Sequence, residues 1–63
     1  MTQKELLYFE DAIGHECNII SILEESINNI DDENLEEFLE SELDKHISLK
    51  EDLINLLEEK VNE

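Results

Sequence analysis

Glu16, Glu42 and His46 stand where the rhythm of the surrounding residues asks for an aliphatic side chain. In the first half of the chain, Leu6, Phe9, Ile13, Ile20, Leu23, Ile27 and Ile30 recur at helical heptad spacing, and the skipped position is Glu16. In the second half, Leu35, Leu39, Leu49, Leu53 and Leu56 keep the same rhythm, and the skipped positions are Glu42 and His46. A carboxylate held among aliphatic groups costs several kcal/mol unless it finds a partner or a proton. Carboxylates and imidazoles directed inward from facing helices are the donor set with which bundle proteins hold iron, manganese or zinc. His15, next to Glu16 on the adjoining stripe, completes the candidate ligand set of Glu16, His46, Glu42 and His15. Two plainer arrangements use the same residues. A Glu–His pair can fix helix register without any metal, and a few degrees of rotation would carry these groups to the rim.

Helices must position these groups, and their signals are clear. Thr2 followed by Glu5 is a capping box, in which each side chain satisfies the other's backbone N–H. A second stripe of Tyr8, Ala12, Ile19 and Ile22 widens the apolar face of the first helix. The only turn-like cluster is Asn28-Asn29-Ile30-Asp31-Asp32-Glu33-Asn34. Asp31 there is expected to cap a second helix, with Ile30 and Leu35 as a hydrophobic staple. Phe38, Leu43, Ile47, Ile54, Leu57 and Val61 broaden the second apolar face.

Strand alternation is absent. The expected fold is all-α, an antiparallel hairpin with helices over about 3–29 and 32–61 and a turn at about 30–31. Folding the chain at that turn places Glu16 opposite positions near 45–46, hence beside His46, with Glu42 one turn away. Gly14 in mid-helix costs ~1 kcal/mol relative to Ala, which suggests a need for room at this level. Each apolar face is wider than one helix can cover, so the hairpin is expected to dimerise into a four-helix bundle.

Composition removes several functions. The 63 residues include 19 Asp and Glu against 4 Lys and Arg, a formal charge of −15. Nucleic-acid binding and attachment to anionic membranes both need the basic stripes that this chain lacks. No apolar run spans a bilayer, and the first residues lack the basic start and apolar segment of a secretory signal. One Cys builds no internal disulfide, which makes the cytoplasm the expected location. Cys17 is expected to pack as a small hydrophobe; Tyr8 and Phe9 fit helix packing. Residues 31–34 lack the Gly and ligand spacing of a calcium loop. No nucleophile–base set, phosphate loop or Cys/His zinc pattern occurs, so a binding role is favoured over an enzyme.

The string Glu10-Asp11-Ala12-Ile13-Gly14-His15-Glu16 resembles the E-D-A-[LI]-G-H-E opening of short clostridial proteins of the ferritin-like, spore-coat-related kind. In those proteins an acidic loop and a second helix with a His after an L-x-x-[FLV] pattern follow. Leu35-Glu36-Glu37-Phe38 and His46 stand in those places. The resemblance implies a spore-forming bacterial source and a ferritin-like half-bundle, with Glu16 and His46 at metal-ligand positions. Ferritin-like helices usually carry Glu-x-x-His. Here position 43 is Leu, and Glu42 lies four residues before His46. A second stretch, Glu42-Leu43-Asp44-Lys45-His46-Ile47, is similar to the S-Q-E-L-D-[KR]-L-I signature of small sporulation-control aspartyl-phosphate phosphatases, which are also helical hairpins. That likeness implies a response-regulator protein as partner. The opening Ser-Gln is replaced by Glu40-Ser41, and His46 replaces an apolar residue.

Overall fold

The computed structural model describes residues 1–62, and they form two antiparallel helices. Helix α1 spans Gln3–Asn28 and helix α2 spans Glu33–Val61. The expected limits of 3–29 and 32–61 lie within one residue of these. Thr2 caps α1 as the sequence indicates: its hydroxyl accepts from the Glu5 N–H at 3.1 Å, and its own N–H donates to Glu5 Oε1 at 2.9 Å. The Thr2 backbone N–H first, and its side chain second, hold the Glu5 carboxyl below its ordinary value of 4.5. A carboxyl with a lowered pKa stabilises the folded state above its unfolded value and loses that contribution as pH falls through the folded one. Acidification through the carboxylate range is therefore expected to unlatch the first turn. The backbone amide resonances of Thr2 and Glu5 should report this; resonances unmoved down to pH 2 would refute it.

The turn is set by side chains rather than by glycine. At the end of α1, the Asn29 N–H donates to the Ser26 carbonyl at 3.1 Å, and Asn29 Nδ2 donates to the Glu25 carbonyl at 2.7 Å. The cap of α2 is Asp32, which accepts from the Leu35 N–H at 3.0 Å, and not Asp31. Adjacent aspartates offer the same chemistry, and the helix starts one residue later than expected. That shift removes Ile30 and Leu35 from the two staple positions, and Leu35 is exposed. Glu33 and Glu36 in the first turn of α2, and Lys60 in its last, complement the helix dipole.

The hairpin is one helix thick, with extents of 47 × 15 × 11 Å and a radius of gyration of 14.6 Å. A compact domain of this length has a radius of about 11 Å. Among the described residues no apolar side chain is buried. The seam of α1 is as expected: Leu6, Phe9, Ile13, Ile20, Leu23, Ile27 and Ile30 are all half-buried, around a buried Glu16. The seam of α2 differs. Leu39, His46 and Leu53 face α1, but the alternate positions are Glu36, Leu43, Lys50 and Leu57, all half-buried. Leu35, Leu49 and Leu56 are exposed instead. Both sets have the same period, and one neighbouring helix covers only one of them. Lys50 can belong to the covered set because a lysine buries its methylene stem while its ammonium stays in water. On the broadening stripes, Ala12, Ile19 and Ile54 are half-buried, whereas Tyr8, Ile22, Phe38, Ile47 and Val61 are exposed. The Lys4 ammonium sits 5.9 Å from the centre of the Tyr8 ring.

Candidate Glu16–His46 site

Glu16 is the one residue of either helix that the fold buries, with 9% of its surface exposed. It is buried because α1 presents it on the same line as Ile13 and Ile20, against α2. The partner that makes this tolerable arrives from α2: His46 Nδ1 lies 2.5 Å from Glu16 Oε2. The two atoms share one hydrogen bond, and the tautomer of the imidazole sets which of them gives the proton. The His46 side chain keeps 27% of its surface exposed, so one edge of the ring remains open to solvent. Thirty residues separate the pair in sequence, and the hairpin alone brings them together. This meeting is the one that the fold-back of the chain implies.

The other two candidate ligands lie elsewhere. Glu42 sits on the flank of the seam, where Oε1 meets Lys45 Nζ at 3.3 Å. A pair this open to water, spaced i,i+3, contributes at most ~0.5 kcal/mol. His15 is exposed on the outer side of α1, because the residue next to a seam position points away from the seam. Among the described residues, no group of three or more His, Cys, Asp or Glu side chains is placed to hold a metal ion. Within one chain the donor set is thus one carboxylate and one imidazole. No buried polar side-chain atom among the described residues lacks a hydrogen-bond partner.

Two expectations around this level are corrected. Gly14 does not make room, since a Cβ built on it meets nothing within 4 Å. The residue is exposed, and the space beside it is solvent. Gly14→Ala is accordingly expected to stabilise the protein by ~1 kcal/mol, through helix propensity and a less flexible unfolded chain. Chemical denaturation would measure this; a loss of stability would mean that a partner approaches the backbone there. Cys17 is exposed rather than packed, since it falls on the side of α1 that no other helix covers. The feature that the sequence left unread is the choice between the two interleaved leucine sets of α2.

No helix among the described residues is long and apolar enough to cross a membrane. The chain matches no protein-family model, no curated protein and no solved structure.

Proposed function

We propose that this chain is a small acidic bundle-forming protein of the cytoplasm that acts by binding rather than by catalysis. In this reading two hairpins pack into a four-helix bundle of the ferritin-like kind. The observation that supports it is the exposure of the apolar surface. Among the described residues no apolar side chain is buried, and ten large ones, from Met1 to Val61, are left more than a third exposed. An isolated hairpin that wets this much apolar area gives up the main driving force of folding. Packing against a second hairpin recovers it. Sedimentation equilibrium with thermal melts from about 5 to 500 μM tests the reading. A bundle gives twice the chain mass of 7.4 kDa and a melting temperature that rises with concentration. A monomer at every concentration, with a constant melting temperature, would overturn it.

The Glu16–His46 pair favours a second reading, in which the bundle binds a transition metal. One carboxylate and one imidazole per chain are half of a four-donor site for iron, manganese or zinc, and a two-fold axis would supply the other half. Elemental analysis of the purified protein decides this. Bound metal that disappears in Glu16→Ala and His46→Ala would support it, whereas metal-free protein after growth with each ion would end it. The likeness of residues 42–47 to the phosphatase signature motivates a third possibility, a regulatory hairpin that binds a response regulator. Asp44 of that stretch is exposed and open to a partner. Failure to retain any response regulator in a pull-down would remove it.

A further inference from the structure

The hairpin has two broad faces of opposite character. In an antiparallel pair, the positions that flank the seam on one side of α1 lie on the same side as the matching positions of α2. One side therefore collects positions 5, 8, 12, 15, 19 and 22 of α1 with 35, 38, 42, 45, 49, 52, 56 and 59 of α2. The other side collects 7, 10, 14, 17, 21 and 24 of α1 with 33, 37, 40, 44, 47, 51, 54, 58 and 61 of α2, and Leu7, Ile47 and Val61 are its exposed apolar residues. The first carries most of the exposed bulky groups: Tyr8, Ile22, Leu35, Phe38, Leu49 and Leu56. The second holds eight carboxylates, at 10, 24, 33, 37, 40, 44, 51 and 58, and no Lys. The first holds four, at 5, 42, 52 and 59, together with Lys45 and His15.

We propose that the second hairpin of the bundle is another copy of this chain, and that the two copies meet through the face of Ile22, Phe38, Leu49 and Leu56. This rests on the bundle reading above and adds the face. Two observations support the pairing and select that face. The first is area: the chain exposes 4904 Å², about 700 Å² above the ~4,200 Å² of a compact monomer of its mass. A stable pair buries about 800 Å² from each partner. The second is charge. A two-fold interface sets each face against itself. Joining the acidic faces would crowd sixteen carboxylates together with no Lys among them, whereas the apolar faces carry both signs, so that Lys45 of one copy can approach Glu42 or Asp52 of the other. Like-charge juxtaposition of the first kind costs several kcal/mol.

Two double variants with the same added charge separate the faces, with mass read by light scattering. Ile22→Glu/Leu49→Glu is expected to reduce the dimer to a 7.4 kDa chain, while Ile47→Glu/Val61→Glu leaves it dimeric. A readout on native protein covers the case in which the first variant unfolds. With Cys17→Ser as background, the thiol of Leu49→Cys is expected to react with a disulfide reagent about tenfold more slowly than that of Ile47→Cys. The difference should vanish on dilution. Equal rates, or loss of the dimer only in Ile47→Glu/Val61→Glu, would overturn the face and leave the bundle reading standing. A wild-type chain that is monomeric throughout would overturn both.

Discussion

His46→Leu is expected to destabilise the protein by ~1–3 kcal/mol, whereas Glu16→Leu/His46→Leu is expected to exceed the wild type by ~1–2 kcal/mol. The single change leaves the Glu16 carboxylate buried at 9% exposure with its partner gone, and an unpaired buried acceptor costs its full desolvation. Breaking a fully buried ion pair costs ~3–5 kcal/mol. The lower figure applies because one edge of His46 reaches water. The double change restores the aliphatic rhythm of both seams, and buried pairs replaced by well-packed apolar groups are neutral or stabilising. For a chain this small each kcal/mol moves the melting temperature by ~4–8 °C. The double variant should lose something else, namely a unique alignment. With Leu at both positions no polar pair across the seam marks the register, so its amide spectrum should show more than one set of peaks. A double variant less stable than His46→Leu would mean that the pair contributes net stability and is no mere register pin.

Raising the ionic strength from about 10 mM to 1 M is expected to raise the melting temperature by ~4–8 °C, with millimolar magnesium matching much of that effect. The chain carries a charge of −15 on 63 residues, and Glu33–Glu37, Glu36–Glu40 and Glu40–Asp44 are like-charge neighbours along α2. Each such pair opposes the helix by a few tenths of a kcal/mol, together about 1 kcal/mol. At 1 M salt the screening length is ~3 Å, shorter than the spacing of these groups. Glu33, Glu36, Glu37 and Glu40 also line one shallow hollow at the start of α2, and magnesium screens such diffuse negative charge at lower concentration than sodium. Circular dichroism melts in sodium and magnesium chloride check this. A melting temperature indifferent to both salts would show that the carboxylates are already too dispersed to repel one another.

The sequence revealed α1 almost completely and α2 only in part, for a physical reason. Along α1 every seam position but one is a large apolar residue and half-buried, so the period alone identifies Glu16 as an intruder in the seam. Along α2 two interleaved sets share the same period. Residues 35, 39, 49, 53 and 56 are all Leu, while the covered set includes Glu36 and Lys50. Hydrophobicity favours the set with Leu35, Leu49 and Leu56, which the fold leaves exposed, and only the position of the neighbouring helix decides between them. His46 belongs to both sets, which is why its meeting with Glu16 was legible despite the misread seam. The cost of Gly14 in a helix points to a tight contact only where something packs against it, and here nothing does.

The two helices have nearly equal length and a short turn between them, so the first turn of α1 and the last turn of α2 lie side by side. Met1, Thr2, Gln3 and Leu6 line a shallow hollow with Lys60 and Val61. A few glycines and serines would join the ends there into a circular chain. Such a ring removes part of the freedom of the unfolded state while leaving both long faces untouched. It also allows the turn at residues 29–32 to be opened as new termini, a permutation that this architecture should accept with the same neighbours in place.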